Sequence, residues 1–266
     1  MWKMMLLVFL AGGPVYSGEF AGVLAPLHTV DILHTATRGL SPDKWNNGYL
    51  PMFESTRVPG SPVTVWMYNR DGEEVIRRTD ILPSGVYQIV PYQAAATPDG
   101  KLVLSADVWS SAAEAAPVLC FVSPPGVLEK VVRTESVAAD SLAIDDGGTM
   151  WGFGSPPALR FERRATYNTL ERWDRQGRTV STFVPRSVFS TDLNPVMSSN
   201  GGESRVLATR DRLALYSALT KEWLELDRTS GEIIERYVLE PPVTETGSGG
   251  PVSVTDIVIT SSDRVY

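Results

Sequence analysis

Thr169-Leu-Glu-Arg-Trp-Asp-Arg-Gln-Gly-Arg-Thr-Val-Ser-Thr-Phe183 reads as a strand, a tight polar turn centred on Asp174 to Gly177, and a second strand. An Asp at the head of such a turn accepts hydrogen bonds from the backbone beyond it, and the Gly supplies the positive φ that a hairpin connection needs. The same order of apolar strand, Gly turn and charged strand recurs at Trp66–Ile76, Leu119–Leu128 and Trp223–Ile234. The turn glycines Gly72, Gly126, Gly177 and Gly231 lie 54, 51 and 54 residues apart. Self-similarity at roughly 40 to 50 residues, with strands rather than helices in each unit, points to the blades of a β-propeller.

Each Gly turn is followed by a second hairpin, with turns at Thr97-Pro-Asp-Gly100, Asp145-Asp-Gly-Gly148, Arg210-Asp-Arg212 and Ser261-Ser-Asp263. The strands of these second hairpins are small and apolar, as in Gln93-Ala-Ala-Ala96, and suit the crowded axis of a propeller. The strands of the first hairpins carry charge, as in Glu232-Ile-Ile-Glu-Arg-Tyr-Val238, and suit the half-exposed outer edge. The expected fold is therefore all-β, a propeller of four-stranded antiparallel blades over residues 62–266. About four blades' worth is present. The first lacks its inner pair, the last lacks its outer pair, and the chain stops inside a strand at Val265-Tyr266. An arc of a longer, six-bladed propeller is expected in preference to a closed four-bladed ring.

This layout resembles the six-bladed propellers of the NHL-repeat and gluconolactonase-like kind. Pro98-Asp99-Gly100 and Asp146-Gly147 match the inner signature of that group, and Asn69-Arg-Asp-Gly72, Asp174-Arg-Gln-Gly177 and Asp227 through Gly231 match the outer one. NHL repeats usually continue the inner hairpin into a Val-Ala-Asp-x-x-Asn segment. Here Ser105-Ala-Asp-Val-Trp109, Gly152-Phe-Gly-Ser155 and Tyr216-Ser-Ala218 stand instead, and only Asp107 fits. The resemblance implies a fold. It would also imply a divalent cation at the axis if the gluconolactonase-like ligands were present, but Asp107, Glu203 and Asp256 show no recognisable ligand spacing.

Ahead of the repeats, Met1-Trp2-Lys3, an apolar run from Met4 to Ala11 and Gly12-Gly-Pro-Val-Tyr-Ser17 have the order of a secretory signal peptide, with Val15 and Ser17 at −3 and −1. A buried first strand is the weaker reading. The run is too short to cross a bilayer, which takes about 20 residues. A secreted or periplasmic protein is expected, with residues 1–17 as leader and 18–61 as an N-terminal linking segment. In that segment Val30–Leu33 is a short strand and Leu40–Gly48 a loop.

With 24 basic and 31 acidic residues the net charge is −7, a surface that repels phosphates, so nucleic acid is not an expected partner. The lone Cys120 excludes an internal disulfide and reads as a small buried hydrophobe. Both histidines, His28 and His34, precede the repeats, so no His constellation can form within them. There is no Gly-x-Ser-x-Gly. Asp145-Asp146 before Gly147-Gly148 reads as turn chemistry rather than a cation pair, and Gly247-Ser-Gly-Gly-Pro251 as a flexible loop. No cofactor or metal is expected, and a quinone-dependent dehydrogenase would want a basic and aromatic axial pocket that the sequence pattern does not reveal.

Trp66, Trp151, Trp173 and Trp223 read as packing residues. Trp109 is the functional exception, because Ala106-Asp-Val-Trp-Ser-Ser-Ala112 leaves an inner hairpin toward the face where propellers bind. Asp107 and Trp109 are the candidate ligand-binding residues, set at the surface, and the long connections Val184–Gly202 and Pro241–Pro251 are candidate recognition loops. The function expected is an exported, non-catalytic binding or scaffolding module for a protein, peptide or glycan. A metal-dependent hydrolase or lactonase with ligands outside this chain is the alternative.

Overall fold

Alternating apolar residues and Gly turns produce fifteen strands in four antiparallel sheets among the residues that a computed structural model describes, 46–111, 114–196, 203–209 and 211–239. The expected leader, both histidines, the hairpin expected around Ser261–Asp263 and the loop at 241–251 lie outside the described residues. The first sheet holds β1 (Tyr49–Ser55), β2 (Val63–Asn69) and β3 (Glu74–Ile81). The second runs β4 (Gln88–Ala96), β5 (Leu102–Ser111), β6 (Glu114–Ser123) and β7 (Val127–Arg133). The third runs β8 (Ala138–Ile144), β9 (Met150–Ser155), β10 (Asn168–Trp173) and β11 (Thr179–Pro185). The fourth runs β12 (Arg205–Ala208), β13 (Leu213–Ser217), β14 (Glu222–Leu226) and β15 (Ile233–Val238).

Every sheet is a meander in chain order, and β4 packs on β8 and β8 on β12, so the first strand of each four-stranded sheet lies innermost. These are four consecutive blades of a β-propeller. The sheet structure starts earlier than residue 62. β1 pairs with β2 from Tyr49 opposite Asn69 to Ser55 opposite Val63, inside the stretch read as a linking segment. That pairing was hard to read because its connection, Thr56–Pro62, carries no Asp-Gly signature and Pro51 interrupts the strand pattern.

The period-2 alternation of the strands gives each blade two apolar faces, and the core is the set of seams between blades. On β6, Val118, Cys120 and Val122 face Val63, Val65 and Met67 of the first blade. The intervening Leu119 and Phe121 face Ala139, Leu142 and Trp173 of the third. Trp151, Phe153 and Leu170 then meet Val206, Leu215 and Leu224 of the fourth. Cys120 is buried as expected, and burial pushes its thiol up to about 12, well away from a reactive thiolate. Trp151 and Trp173 fill seams, whereas Trp66 and Trp223 are buried in clusters on the outward faces of the first and last blades.

The outer turns behave as their sequences require. Asp174 Oδ1 accepts from the backbone N–H of Gln176 (2.9 Å) and Arg178 (3.0 Å), with Gly177 at φ +82°. The glycines also let each turn close on the blade before it. A Cβ at Gly177 would stand 3.1 Å from the Phe121 ring, and one at Gly231 only 2.1 Å from Phe183. At the axis, side chains tie one inner strand to the next. Gln93 Oε1 accepts from Leu142 N–H (2.9 Å), and Ser141 Oγ accepts from Val206 N–H (3.0 Å). At the far ends of β4 and β8, Asn47 Nδ2 donates to the carbonyls of Ala96 (2.8 Å) and Ile144 (3.1 Å).

Candidate functional site

β4 carries a bulge at its middle and β8 one near its N-terminal end. Register slips between Pro91 and Gln93 against β5, and between Ala139 and Ser141 against β9, leaving Tyr92 and Asp140 as the extra residues. A bulge re-aims a side chain out of the sheet pattern and is found beside functional sites. Here both bulged residues line the same cavity of about 370 Å³ at the propeller axis. Its remaining walls are Gln93 at the axis, Arg57 from the β1–β2 loop, Arg160 and Phe161 from the β9–β10 connection, and Glu203 to Arg205 leading into β12. Asn194 and Val196 reach it from the segment after β11, so part of the connection read from sequence as a recognition loop does rim the axis.

The deepest part of the site is a buried polar cluster. Tyr92 Oη donates to Asp107 Oδ2 at 2.5 Å, and Asp107 is 3% exposed. Its Oδ1 has no hydrogen-bond partner among the described residues. Burial raises the Asp107 carboxyl above the ordinary carboxylate range, although the Tyr92 hydrogen bond and the Arg160 charge pull it down. The Arg160 guanidinium donates to Asp140 Oδ2 at 3.0 Å and stacks over the Tyr92 ring, 4.4 Å from its centroid. Burial pushes Asp140 up to about 6, against the opposing charge of Arg160 and with a further push from Asp107. Burial likewise holds the Tyr92 phenol well above its ordinary value. Two perturbed carboxyls joined by a tyrosine and an arginine at the bottom of a cleft make this cavity the candidate site.

Asp107 therefore enters the site from behind, through Tyr92, and not at the surface as the sequence reading had it. Trp109 is half-buried on the same strand, opposite Gln88 and Ala115, and does not line the axial cavity. Two of the residues that do line it had a signal in the sequence: Tyr92 and Asp140 each stand five residues before the first residue of an inner turn, Thr97 and Asp145. Two unlike polar residues at one repeat position are invisible to a search for a shared motif. The cavity is also basic and aromatic, with Arg57, Arg160 and Arg205 beside Tyr92 and Phe161, contrary to the expectation that the chain offers no such pocket.

The axial cation implied by the gluconolactonase-like resemblance does not fit these residues. The guanidinium of Arg160 already pairs with Asp140, and Tyr92 holds one oxygen of Asp107. Among the described residues no group of three or more His, Cys, Asp or Glu side chains is placed to hold a metal. Asp145, the other acid of interest, is a turn residue with a second duty. Its Oδ1 accepts from Thr149 N–H at 2.9 Å while Oδ2 pairs with Arg228 of the fourth blade.

No family model matches the sequence, and no curated protein matches it in sequence. Solved structures resemble it in shape. A protein of unknown function from Bacteroides caccae shares 12% identity over 71% of this chain and 61% of its own, with a TM-score of 0.40. A nidogen/laminin complex shares 11% over 70% of this chain and 59% of its own, with a TM-score of 0.42. Apo AztD from Citrobacter koseri shares 12% over 74% of this chain and 58% of its own, with a TM-score of 0.35. The chain thus spans about three-fifths of the length of the structures it matches. Among the described residues no helix is long and apolar enough to cross a membrane.

Proposed function

We propose that this chain is an exported, non-catalytic propeller module that binds a protein, peptide or glycan by taking one group of it into the axial cavity. The observation that carries the reading is the pair of bulges that turn Tyr92 and Asp140 of successive blades into a single cavity whose walls are charged and polar. Concave sites with a few convergent polar groups are where propellers and other closed folds hold ligands. The loops around it come from three separate connections of the chain, so its chemistry can vary without disturbing the seams between blades.

A hydrolase would use the same carboxyls differently, with Asp140 as general acid or base near neutral pH. Purified full-length protein is expected to give no turnover of a panel of lactones and carboxylic esters above the uncatalysed rate. Turnover abolished by Asp140→Asn would overturn the binding reading.

Export is tested independently. Expressed with its own N-terminus in a secreting host, the protein is expected to leave the cytoplasm and to begin at Gly18, after cleavage behind Ser17. N-terminal sequencing or intact mass reads this directly, and a retained Met1-Trp2 terminus in the mature protein would remove the export claim.

A further inference from the structure

The walls of the axial cavity carry more arginines than carboxylates, in an acidic protein, with the Asp107 carboxyl buried behind Tyr92. Arg57, Arg160 and Arg205 line it against Asp140 and Glu203, while the whole chain carries −7. Glu203 pairs with Arg205, and Asp140 with Arg160. Arg57 is exposed at the rim, and among the described residues no carboxylate pairs with its guanidinium. The Nε of Arg160 is buried and has no hydrogen-bond acceptor among the described residues. Beside these donors stands Phe161, which lines the same cavity and is 81% exposed, the most exposed large hydrophobic side chain among the described residues. An aromatic ring at the mouth of a charged cavity offers an apolar contact beside the charged ones.

Resting on the proposal that the axial cavity is the ligand site, we infer that the ligand presents a carboxylate joined to an apolar or aromatic group, the carboxylate meeting Arg57 and Arg160 and the apolar group covering Phe161. Guanidinium groups suit this role because their planar donors match the two oxygens of a carboxylate, and such charge-assisted bonds are the strong ones in a cleft. The carboxylate can belong to the C-terminus of a peptide or to a small organic acid, and the chemistry is the same.

Asp140 makes the binding proton-linked. The groups that face it are Tyr92 from β4, Asp107 from β5, and Arg160 and Tyr167 from the β9–β10 connection, with Arg57, Glu203 and Arg205 on the other cavity walls and Arg186 acting on Tyr167 behind them. Above about pH 6 the ionised Asp140 neutralises Arg160; below it the protonated carboxyl leaves that guanidinium to an incoming anion. Affinity for a carboxylate therefore rises as pH falls through 6, until the ligand's own carboxyl protonates near pH 4.

Calorimetric titration of the full chain with 3-phenylpropionate, its amide, and acetyl-Gly-Phe as free acid and as amide tests this. The acids are expected to bind about tenfold more tightly than their amides, the loss of one charged contact. Tighter binding of the peptide acid than of phenylpropionate assigns the carboxylate to a peptide terminus, and the reverse order assigns it to a small acid. Arg57→Gln and Phe161→Ala, both at exposed positions, are expected to weaken the acids several-fold without moving the melting temperature. Asp140→Asn is expected to strengthen them at pH 7.5 by about threefold to tenfold and to abolish the pH dependence, a gain that mere damage to the site does not produce. Equal binding of acid and amide, or no saturable binding of either acid, overturns the inference. Amide binding that Phe161→Ala weakens would do so while leaving the axial cavity as the ligand site.

Discussion

Replacing Gly154 by Ala is expected to lower the stability of the protein by about 3 kcal/mol, a fall in melting temperature of roughly 6–12 °C. Gly154 lies on β9 opposite Ala139 of β8. A Cβ there would stand 1.9 Å from the Ala138 carbonyl oxygen and 2.7 Å from Val137 Cγ1. Backbone cannot swing aside as the tip of a lysine would, so β8 and β9 would have to separate at the axis, where Ser141 also holds the fourth blade. Gly152→Ala is a milder relative, because the nearest atom to its Cβ, at 2.1 Å, belongs to the Trp173 ring in the seam between the second and third blades. Gly85→Ala is the control. Gly85 has φ +76° and nothing within 4 Å of its Cβ, so only the left-handed backbone is penalised, by roughly 1–2 kcal/mol. Thermal melts followed by circular dichroism separate the three. A Gly154→Ala protein that melts with the wild type would show that the axis is not packed as described.

The fold was legible because each of its rules is local. Hairpins announce themselves through Asp and Gly at fixed offsets, and Asp174 and Asp227 cap their turns as that chemistry demands. Recurrence of the turns at a near-constant spacing then leaves few architectures. What the pattern does not carry is any strand whose connection lacks the signature, and β1, joined to β2 through Thr56–Pro62, was missed for that reason. The glycines of Gly152-Phe-Gly154 registered only as a departure from a known repeat. Their cause, the approach of Trp173 and of the β8 backbone, is a contact between strands and has no trace within β9 itself.

The site was much less legible. Asp107 attracted notice because it matched a family signature, and it does belong to the polar cluster, but as the buried partner of Tyr92. The surface residues came from elsewhere: Tyr92 and Asp140 reach the cavity only because a bulge turns them, and Arg57, Arg160 and Phe161 because loops between strands end at the axis. A bulge is one residue of register, and register is set by pairing across the sheet. No single strand records it. Comparing residues at the same offset from the inner turns, Tyr92 with Asp140, was the one route from sequence to site, and it needs the propeller axis as a prior assumption.

Glu171→Ala is expected to destabilise the protein by about 3–5 kcal/mol, comparable to or above the effect at Gly154. Glu171 is fully buried on β10, and among the described residues its carboxylate is held by hydrogen-bond donors and not by a cation. Oε2 accepts from the backbone N–H of Val137 (2.9 Å) and Ser136 (3.2 Å), and Oε1 from Glu135 N–H (3.2 Å) and the Thr179 hydroxyl (2.5 Å). Those amides belong to the connection between β7 and β8, so one side chain of the third blade fixes the passage from the second. Removing it leaves buried donors unsatisfied, and each such group carries a penalty of about 1–3 kcal/mol. Glu171→Gln keeps an accepting oxygen and the side-chain shape, and is expected to lose roughly half as much. The arrangement recurs 51 residues on, where Glu222 of the fourth blade accepts from Ser190 N–H (3.2 Å) and Oγ (3.0 Å) on the passage from the third and is paired with Arg236. Burial works to raise the Glu222 carboxyl, but the bonds from Arg236 and Ser190 outweigh it and hold it below the usual range. Its contribution is therefore present above the unfolded value of about 4.3 and is lost as pH falls through the lower folded value. Denaturant melts of Glu171→Ala, Glu171→Gln and Glu222→Gln at neutral pH order the three. An alanine variant no less stable than the glutamine variant would mean that the buried amides find water or another acceptor, and that the blades are not joined through these carboxylates.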